Sequence, residues 1–538
     1  SHKLLWSYAL GSLVSIGGID ASMGSRSNFT IARITGAFLA LIVPFFVAGC
    51  TTLGPDYEIP DTPVATEWTE VDPEMLSMQP ADHPEWWTVF KDPVLNQLVE
   101  TAQSQNLTLR SAGMRVLQAQ AQLGIATGSK YPQVQQLLGS ANQIKLSENG
   151  TDNYPLLEDN FGLYDLGLGV SWELDFWGRF KRMIESSAAQ LQAEVASYDA
   201  VMVALTAEVA RSYVIMRTLE ARIGLAEKNA LIQERALQIA DVKYRNGKVT
   251  ELDVQQALTI LNKTRSTIPV LQTSLREVRN SLGVLLGMLP QELEKLLVNA
   301  GPVPTPPAMV AVGMPQNLIR RRPDIRQAEW VMAAQSAQIG VAITELYPHF
   351  TLGGSVGVTT TTIDGKGISD LFDSGSVRGM LFGGFNWNVL NYGRLQNNVR
   401  FQDALFQELL IDYQKLVLTA QAEVDAAIVA YLRAHAQAGY LGDSVRAAER
   451  SVELSMIQYR EGSTDFNQVL TTLTQQADQQ DDLTVSEGTI ASNLIYMYKA
   501  LGGGWQFDGE RAIEDYATEQ DKQKLRTRTK YWNKTLPE

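Results

Sequence analysis

Between Arg179 and Arg245 the apolar and small residues fall into a stripe. Leu191, Val195, Tyr198, Met202, Leu205, Val209, Ser212, Met216, Leu219 and Ile223 recur in alternating steps of four and three, the spacing of a helical packing seam. Only Ser212 is out of character. No proline interrupts the chain from Arg179 until Pro269, so the stretch reads as one helix of 67 residues. Such a helix is roughly 100 Å long at about 1.5 Å per residue, far beyond an ordinary globular helix. A second seam runs through Phe406, Leu410, Tyr413, Val417, Ala420, Val424, Ala427, Tyr431, Ala434, Ala438, Leu441 and Val445, with many alanines that let neighbouring helices approach closely. Shorter helices are expected from about Ser104 to Ser129, stopping before Tyr131-Pro132 as a residue preceding proline should. Returning helices should end near Leu286, after crossing Pro269, and near Leu501.

Four other segments alternate with period two. Tyr164, Leu166, Leu168, Val170 and Trp172 alternate with Asp165, Gly167, Gly169 and Ser171. The even positions are apolar in Phe350–Val358, the odd ones in Leu381–Val389, and Val134–Leu146 repeats the pattern more weakly. Lengths of about ten residues with one apolar face match transmembrane β-strands, which puts Leu168 on a lipid face and Ser171 on a lumen face. Each pair forms a hairpin through a polar connection, Ser147–Asn160 or Thr359–Arg378. Four strands cannot close a barrel, since even a side-chain-filled one needs about eight, and lipid does not tolerate open edges. The chain is therefore expected to oligomerise.

The strand-to-helix unit occurs twice. At an offset of 215, Trp172, Gly178, Arg179, Tyr198 and Glu208 return as Trp387, Gly393, Arg394, Tyr413 and Glu423, and Tyr244-Arg245-x-Gly247 returns as Tyr459-Arg460-x-Gly462. At an offset of 216, Arg110, Gly124, Tyr131 and Pro132 return as Arg326, Gly340, Tyr347 and Pro348. The length of 538 residues therefore means two copies of one elongated unit rather than a string of globular domains.

Charge and composition narrow the function classes. A net charge of −14 argues against a nucleic-acid partner. One cysteine and four histidines (His2, His83, His349, His435), none at a ligand spacing from another, suggest neither a metal site nor a cofactor. No nucleophile–base constellation suggests an enzyme. From Met23, the basic Arg26 and Arg33 and the apolar run Ile34–Val47 read as an export signal, closed by Val47-Ala48-Gly49-Cys50. That closing block resembles the lipobox of bacterial lipoproteins, which implies cleavage before Cys50, acylation of Cys50 and, with Thr51 following, sorting to the outer membrane. Thr51–Asp92 is proline-rich and expected to wrap a surface in extended form, with Trp86-Trp87-x-x-Phe90 anchoring the helix that follows. Gly301–Pro315 is a proline-rich linker, and the tail from Gly509 is charged and lacks periodicity. The expected divisions are 1–49 (leader and signal), 50–103 (lipidated extended segment), 104–300 and 301–505 (the two repeats) and 506–538 (tail).

With these residues in view, the chain resembles the TolC-type outer-membrane efflux factors, in particular their lipidated NodT/OprM-like branch. The resemblance covers about Cys50 to Trp505 and rests most on Arg321-Arg322-Pro323-Asp324-Ile325-Arg326-x-Ala328-Glu329, the two strand-to-helix blocks, both Tyr-Arg-x-Gly turns and Tyr498-Lys-Ala-Leu501-Gly-Gly-Gly-Trp505. It implies a mixed α and β membrane protein. Three chains, each giving four strands, would close one outer-membrane β-barrel continuous with a long periplasmic α-helical barrel. It also implies a passive duct served by a periplasmic adaptor and an inner-membrane pump of RND type. A structural or adhesive coiled-coil lipoprotein is the alternative, but it leaves the paired strands unexplained.

The family's constriction lies where the long helices turn back, here Tyr244–Asp253 and Tyr459–Thr471. The resemblance places Asp253 near Tyr459, joined by a hydrogen bond, the alternative being that Tyr459 packs while Asp253 caps the returning helix. Gly247 and Gly462 form the turns, and Arg460 belongs to the second. Gln468 and Thr471 stand where relatives carry aspartates, which leaves Asp465 or Asn467 to contribute at the constriction.

Overall fold

A computed structural model describes residues 51–78, 84–147, 160–298, 300–313, 321–505 and 511–536, and all of these except Thr51 belong to one unit, Thr52–Glu538. The export signal, Cys50 and most of the first strand connection lie outside the described residues.

The long seams form long helices. Helix α3 (Arg179–Arg245) and helix α7 (Arg394–Glu461) each begin at a glycine with positive φ, Gly178 at 77° and Gly393 at 79°, where a side chain would be strained. This explains the recurring Gly-Arg after each strand. Asp175 completes the first start, its carboxylate accepting from the Phe180 and Lys181 amides at 3.0 and 2.9 Å. Most of the α3 seam is buried, Ser212 included. The returning helices are α4 (Glu251–Leu286) and α8 (Phe466–Ala500).

Preceding α3 are β1 (Leu76–Ser77), α1 (Pro93–Gln105), α2 (Leu107–Gly128), β2 (Val134–Lys145) and β3 (Asn160–Leu174). The single helix expected from Ser104 is two, because Asn106 intervenes. Its side chain accepts from the Leu109 amide and donates to the Leu285 carbonyl, both at 2.8 Å. Between α4 and α7 come α5 (Pro290–Leu296), β4 (Val310–Ala311), α6 (Pro323–Thr344), β5 (His349–Thr361) and β6 (Val377–Asn386). The last strand lies earlier than its apolar alternation suggests, spanning Val377–Asn386 rather than Leu381–Val389 and ending before Trp387.

The sheet runs β2-β3-β5-β6, antiparallel throughout. Its register puts Leu137, Leu168, Val356 and Gly379 in one row and Gln135, Val170, Gly354 and Leu381 in the next. Leu137, Leu168, Val356 and Leu381 are all exposed, an apolar face that no residue of this chain covers among those described. On the opposite face Asp165 pairs with Arg378 at 3.0 Å across the intervening β5. The outer strands β2 and β6 are exposed nearly throughout, as strands that await neighbours must be. At the foot of the sheet Arg179 bridges Glu173 (3.1 Å) and Glu345 (3.2 Å), and His349 Nδ1 lies 3.0 Å from Glu173, tying strand to helix.

The extended N-terminal segment is stitched down. The buried Arg182 donates to the Leu53 and Gly54 carbonyls, both at 3.0 Å, and pairs with Asp56 at 2.8 Å. Farther on, Gln421 and Asp425 of α7 accept from the Ala65 and Thr69 amides. Trp86 is buried as an anchor, stacked on Tyr498 with centroids 5.2 Å apart. The Arg-Arg-Pro-Asp block proves to be a clamp: Arg322 caps α6 and donates to Asp324 (2.8 Å), Glu423 (2.8 Å) and the Ala500 carbonyl (2.9 Å), so that one guanidinium joins three helices.

The tail, charged and without periodicity, nevertheless contains regular structure. It forms helix α9 (Glu519–Arg528), held to α2 by a two-pronged Arg110–Asp521 pair at 2.9 and 2.7 Å. No residue of α9 is buried, so it carries no apolar periodicity for a sequence reading to detect. Tyr516 packs edge-on against Tyr198. Beside them Asp199 is buried, and desolvation, only partly countered by Arg511 at 4.0 Å and by Arg326, raises its pKa to about 6. A folded pKa above the unfolded value means the fold binds the proton more tightly. The stability this group contributes is then fully present below the unfolded value near 4 and is lost as pH rises through about 6. Asp199→Asn should gain about 1–3 kcal/mol at neutral pH and flatten that slope in thermal unfolding. An unchanged slope would mean that Asp199 does not titrate there.

Candidate functional site at the helix turns

Both long helices end in the same way. Tyr-Arg-x-Gly brings a glycine to positive φ, Gly247 at 69° and Gly462 at 81°. The next amide reaches back to satisfy a helix carbonyl, Lys248 to Lys243 and Ser463 to Gln458, both at 2.9 Å. The chain then reverses into α4 and α8. Asp465 caps α8 by accepting from the Gln468 amide at 3.1 Å.

The two turns meet through side chains. Tyr459, 2 % exposed, donates its hydroxyl to Asp253 Oδ2 at 3.2 Å, joining the end of α7 to the start of α4. A carboxylate in the first turn of a helix is favoured by the helix dipole. Burial, followed by the neighbouring Asp253 charge, raises the Tyr459 pKa well above the phenol range, so the hydroxyl keeps its proton and remains a donor. Lys243 Nζ lies 4.2 Å from the centre of the Tyr459 ring and donates to the Tyr459 carbonyl, and Phe466 packs on the ring at 5.1 Å. A second link runs from Gln256 Nε2 to Asn467 Oδ1 at 3.2 Å. Beneath these contacts Ala236, Ala240, Ala257, Val452, Val469 and Leu473 form a small apolar core.

The structure thus brings Asp253 and Tyr459 together and gives Asn467 a cross-turn partner. Asp465 serves its own helix, and the Arg460 and Gln468 side chains are exposed. Lys243 was not foreseen. The duplication makes Tyr244 the counterpart of Tyr459 and Gln468 that of Asp253, yet Tyr244 is 42 % exposed. Only one of the two equivalent tyrosines is therefore locked in.

An unclosed four-stranded sheet with an apolar outer face, continued directly by helices of 67 and 68 residues, defines an outer-membrane channel with a helical extension. Residues 98–288 and 314–503 match the family model described as outer membrane efflux protein, and the chain belongs to that family. It is 31% identical over 428 residues to the pyoverdine export outer membrane protein OpmQ of Pseudomonas putida, covering 79% of this chain and 88% of that one. It is 28% identical over 471 residues to nodulation protein T of Rhizobium leguminosarum bv. viciae, covering 87% and 93%. Among solved structures, the outer-membrane channel OprN matches with a TM-score of 0.78 at 31% identity, over 84% of this chain and 99% of that one. The resemblance to TolC-type factors of the NodT/OprM-like branch holds, and with it the outer-membrane location and the role of efflux channel. Channels of this family work as trimers, with adaptor and pump partners in tripartite systems.

Proposed function

We propose that this channel is a passive duct without catalysis of its own, fed through a periplasmic adaptor by an inner-membrane pump of RND type, with its gate at the two helix turns. The observation that carries the gate is the Tyr459–Asp253 hydrogen bond, which ties the end of the long helix α7 to the start of the returning helix α4 at the turns. Lys243, Phe466 and the Gln256–Asn467 link support the same closed arrangement. The cargo is organic: the 14 methionines are dispersed rather than clustered as soft-metal ligands, and similar proteins are named for the export of pyoverdine and of toluene. Purified protein in a planar bilayer should give discrete conductance steps, and pull-down from native membranes should recover an adaptor and an RND pump. Recovery of a pump of another class would overturn that assignment.

Cys50 is proposed as the acyl anchor. Acylation contributes roughly 0.8 kcal/mol per buried methylene, so it aids delivery while the barrel provides the permanent hold. Cys50→Ser should slow assembly and leave conductance unchanged. Mass spectrometry finding no acyl chain on the mature N-terminus would remove the anchor.

A further inference from the structure

A cavity of about 440 Å³ lies among α3, α4 and α8, within the size range of small-molecule sites. The sequence accounts for it. Continuing the α3 seam past Ile223 in the same steps gives Ala226, Ala230, Gln233, Leu237 and Ala240, so two small side chains precede one polar residue at a packing position. Across from them α4 contains Pro269, which has no amide to give the Arg265 carbonyl, and the lining residues Lys263 to Leu271 flank that gap in the helix ladder.

The lining is rich in hydrogen-bond acceptors. Gln233 is 1 % exposed, and among the described residues no donor reaches its Oε1. A buried acceptor in that condition calls for a donor. The Ser266, Thr267 and Thr474 hydroxyls donate to the carbonyls of Lys263 (2.7 Å), Thr264 (2.8 Å) and Leu470 (2.9 Å), which leaves lone pairs for a guest. Arg222 spends two donors on Asp481, both at 2.8 Å. Formal charge balances, Arg222 and Lys263 against Asp478 and Asp481, so the lining favours no net charge in its occupant. Leu225, Ile260 and Leu271 give an apolar wall.

We propose that this cavity binds a small uncharged amphiphile whose N–H or O–H donates to Gln233 Oε1 and whose apolar body lies against Leu225, Ile260 and Leu271. The site is separate from the helix turns, so its failure would leave the gate untouched. The probe is para-bromobenzamide, an uncharged amide donor on an apolar ring, added to the assembled full-length protein in phosphatidylcholine nanodiscs. Calorimetry should show saturable binding that Gln233→Leu weakens about tenfold, the loss expected for one hydrogen bond. Ala226→Phe should abolish binding by filling the space without touching Gln233. Soaked wild-type crystals, which depend on neither variant assembling, should place the bromine by anomalous scattering in the cavity, with the amide on Gln233. Bromine found elsewhere, only ordered water on Gln233 Oε1, or binding indifferent to both variants would overturn the proposal.

Discussion

Asp253→Ala combined with Tyr459→Phe should raise single-channel conductance and admit large antibiotics from outside. The Tyr459 hydroxyl and the Asp253 carboxylate make a hydrogen bond to a charged acceptor inside a small apolar cluster. Such bonds contribute about 1.5–3 kcal/mol, which corresponds to roughly a tenfold to hundredfold change in a closed–open equilibrium for each copy released. Phenylalanine keeps the ring on Phe466 and under Lys243, so the double variant removes the bond and leaves the packing. Tyr459→Phe alone should fall below the double variant, because the half-exposed Asp253 can turn to water, whereas Asp253→Ala alone leaves the buried Tyr459 hydroxyl without its acceptor and should match or exceed the double variant. Lys243→Ala adds a separate step, since its ammonium holds both the ring and the carbonyl of Tyr459. Unchanged conductance in the double variant, with assembly intact, would show that the closed state is held elsewhere.

How much of this was legible follows from what writes a periodic signal. Helix α3 was readable to the residue because its seam is unbroken, proline is missing and glycine marks both ends. The hairpins were readable because a strand with one apolar and one polar face alternates with a period of two. The strand ends were less so, since Trp387 continues the apolar alternation while its indole already donates to the Leu346 carbonyl outside the sheet. Helix α9 left no trace because Leu525 is its one apolar residue, packed near Leu117, and a single contact beside the Arg110–Asp521 pair writes no period. At the turns, spacing shows only that helices reverse, and the pairing of Asp253 with Tyr459 came from the family resemblance. Lys243 escaped notice because a lysine in the last turn of a helix also suits the helix dipole at an exposed surface, and nothing in the sequence separates the two roles. Gln233 escaped for a related reason: one polar residue in a seam is unremarkable until its acceptor is seen to lack a donor.

Leu168→Arg should destabilise the assembled barrel by about 2–4 kcal/mol if Leu168 sits near the membrane midplane. Leu168 is 48 % exposed and lies in a row with Leu137 and Val356, both exposed apolar residues, so a guanidinium there replaces hydrocarbon in contact with lipid. Ser171 is three residues along the same strand and therefore on the other face, with Asp165 and Glu173. An arginine at Ser171 enters a polar lumen near carboxylates, and its effect should be small. Resistance of the trimer to heat in mild detergent and its urea unfolding midpoint would both rank the two variants, with Leu168→Arg much the weaker assembly. Leu168→Ala separates charge from lost packing: it should cost far less than arginine, because lipid fills the space a smaller side chain leaves. Equal losses for Leu168→Arg and Ser171→Arg would mean that the faces of β3 are assigned the wrong way or that both are covered by protein, and the closed barrel would then need another arrangement of these strands.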